Sequence, residues 1–346
     1  MKRESLRTFA SDNNAPVAPE IMEALVAANA GDAVAYGDDP VTERAAQCFR
    51  EQFGPQADVF FAFNGTGANV VALSCLLRPF EAVIAPASAH LQTDECGAFE
   101  RFSGSKILAV PSADGKLHPP DIQALVAPEP DQHHVVPRGV SISNTTEFGG
   151  IYTLEEIRVL CRTAHEREMF VHVDGARICN AAVALGVSLR ECTVDLGVDV
   201  LTFGGTKNGL MGGEAIVFFD SPAHAGMAPF VRKQAMQLAS KMRFVAAQFE
   251  ALFVEDRWHR YASHANAMAK RLEARIADIP SVRITRPVQA NAVFATLDRA
   301  AMDVIAKRYF FHVFDERLPE ARWMTHFATR EKDVDAFADA VREAVS

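Results

Sequence analysis

The sequence predicts an α/β fold in two parts: a large domain on a mostly parallel sheet, then a smaller C-terminal α/β domain. Three observations predict it. Short apolar runs alternate with amphipathic, helix-like stretches through the first 220 residues, the pattern of repeated βαβ units. Those runs are apolar at every position rather than at every second one, as expected of strands covered on both faces. After about residue 225 the pattern changes to long helical stretches with a few strands between them. The division is expected near residue 250, giving domains 1–250 and 251–346.

The elements follow in order. Residues 59–63 read as a buried strand that ends at the turn Asn64-Gly65-Thr66-Gly67, and 68–77 read as a helix. Residues 82–85, 106–110 and 140–143 read as further strands, and 154–168 as a helix. Strands are expected at 170–174, 199–203 and 214–219. Beyond them, 236–253 and 261–276 read as long helices, 282–285, 292–295 and 322–325 as strands, and 331–345 as a closing helix. Right-handed crossovers place the functional site along the edge where the parallel strands end.

Composition narrows the function classes. The 346 residues are 49% hydrophobic and 23% charged, with net charge −9. Lys and Arg are scattered, so nucleic acid and anionic membrane are not expected partners. No stretch of about 18 apolar residues occurs, which predicts no membrane span. Residues 1–5 (MKRES) do not read as a signal peptide. The six cysteines form no CxxC pair and read as thiols of a cytoplasmic protein rather than disulfides or a zinc site.

Three segments carry chemistry. The first is Thr202-Phe203-Gly204-Gly205-Thr206-Lys207-Asn208-Gly209, a lysine in a Gly/Thr-rich loop directly after a strand. A Schiff-base lysine must be partly desolvated so that its amine can be neutral, and small neighbours let a flat ring approach the backbone. Alone, the segment reads equally as a surface turn. A Walker phosphate loop fails here, because Thr206 precedes the lysine and Asn208 follows it. The second is His172-Val173-Asp174-Gly175-Ala176-Arg177, with Asp174 at a strand's C-terminal end. That carboxylate would pair with the pyridinium nitrogen of pyridoxal 5′-phosphate and keep the ring an electron sink; alternatively Asp174 only caps a turn. The third is the Asn64–Gly67 turn, a strand-to-helix junction suited to a phosphate. It lacks the third glycine of a nicotinamide fingerprint.

A Gly/Thr turn, a strand-end Asp and a loop Lys in this chain order match fold-type I pyridoxal-phosphate enzymes, the aspartate aminotransferase-like class. The chain resembles the low-specificity L-threonine aldolase family, within the aromatic amino acid β-eliminating lyase group. The match rests on Ser11-Asp12-Asn13-Asn14, Tyr36-Gly37-Asp38-Asp39-Pro40, Asn64-Gly65-Thr66-Gly67-Ala68-Asn69, Ala89-His90 with Asp94-Glu95-Cys96-Gly97, His172 to Arg177, and Gly205-Thr206-Lys207. The SDNNA and GGTKNG segments look like a branch that includes phenylserine aldolases.

The resemblance implies roles. Lys207 would hold the cofactor, Asp174 would pair with its ring nitrogen, Gly65 and Thr66 would hold its phosphate, and His90 would stack on its ring. Arg177 would contact the ring hydroxyl side and, with Ser11 and Arg322, the substrate carboxylate. Asp94 or Glu95 would orient the base or contact the β-substituent. His133 would be a second active-site histidine and the leading base, with His90 or a water it holds as the other choice. Tyr36 would lie at a site shared across a dimer interface, and Lys241 would reach the phosphate of the partner subunit. The expected reaction is reversible cleavage of threonine, allo-threonine or phenylserine to glycine and an aldehyde by a homodimer or homotetramer. The chain departs from the family where many members carry a histidine after Asn-Thr; here the row is Asn144-Thr145-Thr146-Glu147. It also lacks the Gly-rich stretch many members carry near Gln237–Lys241. β-Elimination, racemisation or transamination on the same cofactor, and a non-catalytic binding protein, are the competing readings.

Overall fold

The computed structural model describes residues 8–127, 129, 131–219 and 222–346. The described residues form two sheets. The large one contains β1 (Ala57–Ala62), β2 (Glu81–Pro86), β3 (Lys106–Val110), β4 (Val136–Ser143), β5 (Phe170–Gly175), β6 (Val200–Gly204) and β7 (Glu214–Phe219), in the order β1-β7-β6-β5-β4-β2-β3. Strands β3, β2, β4, β5 and β6 run parallel, whereas β7 is antiparallel to both neighbours. β2, β6 and β7 are buried at every position, as their unbroken apolar runs predict. The C-terminal sheet is antiparallel and consists of β8 (Arg283–Ile284), β9 (Ala292–Thr296), β10 (His312–Asp315) and β11 (Glu320–Met324), in the order β10-β11-β9-β8.

The helix Gly65–Leu76 runs through the middle of the large domain and packs on β5, β6 and β7. Nine of its twelve residues are buried, which explains an apolar character all round rather than one stripe. Asn64 caps its start by accepting from the Gly67 N–H at 2.8 Å. On the far side of the sheet, Phe49, Phe61, Phe203 and Phe249 pack as an aromatic block with ring centroids 5.2–6.2 Å apart.

Two elements join the domains. The helix Arg257–Ile276 places Trp258, Tyr261 and Ala262 in the large core and Met268, Leu272 and Ile276 in the small one. The division therefore runs along this helix. The N-terminal segment crosses over as well: Phe9 stacks on Phe337 at 4.2 Å, and its backbone bonds to Phe310 and Met324. Asp12 follows directly and turns back into the large domain.

Candidate active site

The C-terminal ends of β4, β5 and β6 and the loop after β2 open into one cavity of about 570 Å³. This is the crevice at which parallel α/β sheets bind ligands. Lys207, Asp174, Gly65, His90, Asp94, Ser11, Arg177 and Arg322 all line it. These eight come from widely separated parts of the chain, and the fold brings them together as the sequence reading expects. Thr66 sits beside Gly65 in the first turn of the helix.

Lys207 lies in the short 3₁₀ turn Thr206–Asn208 that follows β6. The glycines ahead of it serve the protein, not a ring. A Cβ on Gly204 would lie 2.4 Å from the Ala176 carbonyl oxygen, and one on Gly205 would lie 2.6 Å from that of Gly213. Close backbone packing, rather than room for a cofactor, requires glycine there. Burial, and then the neighbouring Arg177, push the Lys207 amine below its ordinary range, while Asp12, Asp174 and Glu214 pull the other way. A depressed amine is the state that forms a Schiff base readily.

Asp174 ends β5, buried. Its Oδ1 accepts from the Ala176 N–H and its Oδ2 from Asn69 Nδ2, both at 2.9 Å. Burial favours its neutral form, but the hydrogen bond from Asn69, the Lys207 amine and the Ala176 N–H outweigh it and hold it below the usual carboxylate range. His172 shares its strand face. His172 is buried with both ring nitrogens bonded to hydroxyls, Ser141 at 2.9 Å and Thr202 at 3.0 Å, and burial lowers its pKa to about 4. Among the described residues, no group of three metal-ligating side chains is brought together.

His90 Nδ1 lies 2.9 Å from Glu95 Oε1, and the Glu95 side chain is fully buried. Asn69 Nδ2 donates to that same oxygen at 2.9 Å. A continuous chain thus links His90 to Asp174 through Glu95 and Asn69. The hydrogen bond that His90 donates to Glu95 raises the His90 pKa and favours the imidazolium.

The cationic side of the cavity draws on both sheets. Arg177 donates to Asp12 through Nε and Nη2 at 2.6 and 2.9 Å. Asn291, just before β9, also donates to Asp12, at 3.1 Å. Although burial raises the Asp12 pKa, Arg177 overcomes it and holds it at about 2. Arg322 on β11 has no ion pair among the described residues, and its guanidinium lies 5.8 Å from the Phe314 ring centroid. Glu320, the neighbour a surface strand would have paired with it, binds Arg286 at 3.4 Å instead. Arg322 therefore lines the cavity with no carboxylate partner among the described residues.

Thr66 and three further expected residues do not line the cavity. His133 precedes β4, whose eight residues span roughly 26 Å, and the site lies at the other end of that strand. His133 is exposed, bonds through its backbone to Asp131, and lines a separate hollow with Lys106, Arg138 and Glu168. The fold therefore does not bring it to the cavity of its own chain. Tyr36 and Lys241 are exposed and adjacent to each other, the Tyr36 N–H donating to the Ser240 carbonyl at 2.9 Å. Conversely, Asp12, Asn69 and Glu147 belong to the site or its support, though no role was assigned to them from the sequence, and Glu95, expected to orient the base or contact the β-substituent, is buried against His90.

The residues present suit a flat anionic pyridine cofactor. A Cβ at Gly65 would meet nothing within 4 Å, so the start of the twelve-residue helix is open toward the cavity, where free N–H groups favour an anion. Lys207 supplies an amine, and Asp174 a buried carboxylate for a protonated ring nitrogen.

Residues 8–300 match the model of the Beta-eliminating lyase family. The chain is 43% identical to a low specificity L-threonine aldolase of Pseudomonas sp. (strain NCIMB 10558), over 98% of both chains. Its fold superposes on a threonine aldolase of Leishmania major with a TM-score of 0.93 at 30% identity, covering 98% of this chain and all of that one. An aspartate aminotransferase of Thermus thermophilus shares the fold at a TM-score of 0.72 and 15% identity, covering 99% of this chain and 93% of that one. With the site assembled on that architecture, the chain belongs to the Beta-eliminating lyase family and is a lyase of its low specificity L-threonine aldolase group.

Proposed function

We propose that this protein is a pyridoxal 5′-phosphate enzyme that reversibly cleaves threonine, allo-threonine or a bulkier β-hydroxy-α-amino acid such as phenylserine to glycine and an aldehyde. The observation that carries this reading is the buried, depressed Lys207 amine in one cavity with the Asp174 carboxylate. Lys207 would hold the cofactor, Asp174 its ring nitrogen, Gly65 and Thr66 its phosphate, and His90 its ring face. When bound, the cofactor supplies an electron sink for the pair released at Cα.

The protein's own part is positioning. Arg322, with the remaining N–H groups of Arg177 and with Ser11, orients the substrate carboxylate, so that the Cα–Cβ bond is held perpendicular to the ring. Asp174, kept anionic by Asn69, holds a proton at the ring nitrogen. Asp94 stands exposed among the lining residues, where a β-substituent would enter.

We infer too that two or four copies assemble in the cytoplasm. Support comes from a group of exposed apolar residues close to the phosphate turn: Phe63, which directly precedes Asn64, together with Met236 and Tyr36. Gln237 ties this group together by accepting from the Phe63 N–H at 3.0 Å. Exposed apolar surface of this kind marks a contact, and it would bring Tyr36 and Lys241 to the neighbouring site. No helix among the described residues is long and apolar enough to cross a membrane.

The test is a visible absorbance spectrum before and after borohydride, followed by assays with threonine and phenylserine. A cofactor band that borohydride fixes to Lys207, with glycine and aldehyde as products, is expected. Ammonia and a keto acid from threonine would mean β-elimination instead. Wild-type turnover by Lys207→Ala would overturn the cofactor assignment.

A further inference from the structure

The expected base, His133, lies outside the cavity, and the Glu95 carboxylate favours the cationic form of His90, in which the ring has no lone pair to offer. Cleavage nonetheless needs a group to take the β-hydroxyl proton. Among the lining residues three other carboxyls come into question besides Asp174. Asp94 is exposed and accepts from Thr93 at 3.2 Å. Glu95 faces the His90 ring, its Oε1 2.9 Å from Nδ1, and the same oxygen accepts from Asn69, so this carboxylate is already engaged by a cation.

Glu147 differs from both. Its Oε1 accepts from the Ser143 hydroxyl at 2.7 Å and the His90 backbone N–H at 3.0 Å, and both donors are neutral. Its Oε2, like that of Glu95, is shielded from water and has no hydrogen-bond partner. A buried carboxyl oxygen without a partner is a rarity that calls for an explanation, and a ligand is one. Burial raises the Glu147 pKa, with the nearby Asp174 acting in the same sense, which makes its carboxylate a stronger base than a solvated one.

We propose that Glu147 is the catalytic base for the substrate's β-hydroxyl. Its Oε2 takes the hydroxyl proton as that O–H pair becomes the carbonyl of the aldehyde. The Cα–Cβ bond breaks in the same step and leaves its pair on Cα, where the cofactor delocalises it. In the synthetic direction Glu147 returns the proton to the oxygen of the adding aldehyde. Ser143 and the His90 N–H position the carboxyl by holding Oε1. The assignment rests on the aldolase reading above.

The experiment compares two reactions of Glu147→Gln holoenzyme. Cleavage of threonine needs a β-hydroxyl base; exchange of the glycine Cα proton for deuterium needs the same cofactor and lysine but no such base. Cleavage should fall by roughly 10²–10⁴-fold, while glycine exchange and the absorbance of the bound cofactor stay at wild-type levels. An infrared difference spectrum, wild type minus variant without substrate, should show a protonated carboxyl persisting above the pH at which exposed carboxylates ionise. Undiminished cleavage, an equal loss of both reactions, or a selective loss in Glu95→Gln rather than Glu147→Gln would overturn the proposal. If wild type exchanges glycine but does not cleave threonine or phenylserine, the aldolase reading fails first and this assignment with it.

Discussion

Arg177 grips Asp12 through two parallel hydrogen bonds across 165 residues of sequence. The pair is almost wholly buried, with Asp12 1% exposed. Removing one partner of such a pair costs about 3–5 kcal/mol, because the other charge stays buried alone. Asp12→Asn should therefore lose about that much stability near neutral pH, measured by urea unfolding. The Asp12 pKa lies at about 2 in the folded chain against 3.8 when unperturbed. Depressed on folding, it contributes stability fully above about pH 4 and loses it as pH falls toward 2. Over that window the gap between wild type and variant should narrow by about 2 kcal/mol. A gap independent of pH would count against the pairing.

Glu214 presents the opposite sign. It is buried on β7, accepts from the Gly205 N–H at 2.9 Å, and burial raises its pKa to about 7 from 4.5. Between those values the folded chain keeps a proton that the unfolded chain gives up, so stability falls as pH rises. The total comes to about 3 kcal/mol by slightly above pH 7. Glu214→Gln keeps an acceptor for Gly205 and removes the titration. Its stability relative to wild type should improve from pH 5 to pH 8, and unfolding curves that run parallel across this range would refute the assignment.

Asp174→Ala should release the cofactor. Loss of a buried partner for a ring cation weakens its retention by roughly 10²–10³-fold. Absorbance of the protein fraction after gel filtration measures this directly, and full retention with normal cleavage would exclude the pairing.

His133→Ala should leave kcat/KM for threonine within about twofold of wild type, the range of an exposed substitution. A loss of a hundredfold would return the residue to the chemistry.

The parts of the site legible in the sequence are those encoded locally. Gly65, Asp174 and Lys207 each sit where a buried strand stops, and an apolar run followed by Gly, Asp or Lys marks such a junction without reference to anything distant. The boundaries held best where the run was unbroken, as at 106–110 and 214–219. The supporting groups were illegible because their partners are far away in the chain: Asp12 needs Arg177 and Asn291, and Asn69 needs Glu95 and Asp174. His133 lies away from the cavity of its own chain, and an assignment counted along the chain cannot tell which end of a strand a residue occupies. Composition leaves strand direction open, so β7 was not foreseen as antiparallel. Nine residues separate Gly204 from Glu214, too few for a parallel crossover of a dozen or more, and that spacing was the available clue. β10, short and partly exposed, offered no apolar run to detect.

The helix Arg257–Ile276 makes the two domains interdependent for their folding. Its first turns complete one core and its last turns the other. A chain ending at residue 250 would leave the contacts of Trp258 and Tyr261 to water, and the remaining fragment would lack the Phe9 strand-edge contact from the opposite terminus. Neither piece is a self-sufficient module. Heat or urea should melt both halves in one cooperative event. Grafting a foreign C-terminal half onto this scaffold would demand a junction inside a continuous helix, with a matched apolar face on each side of it.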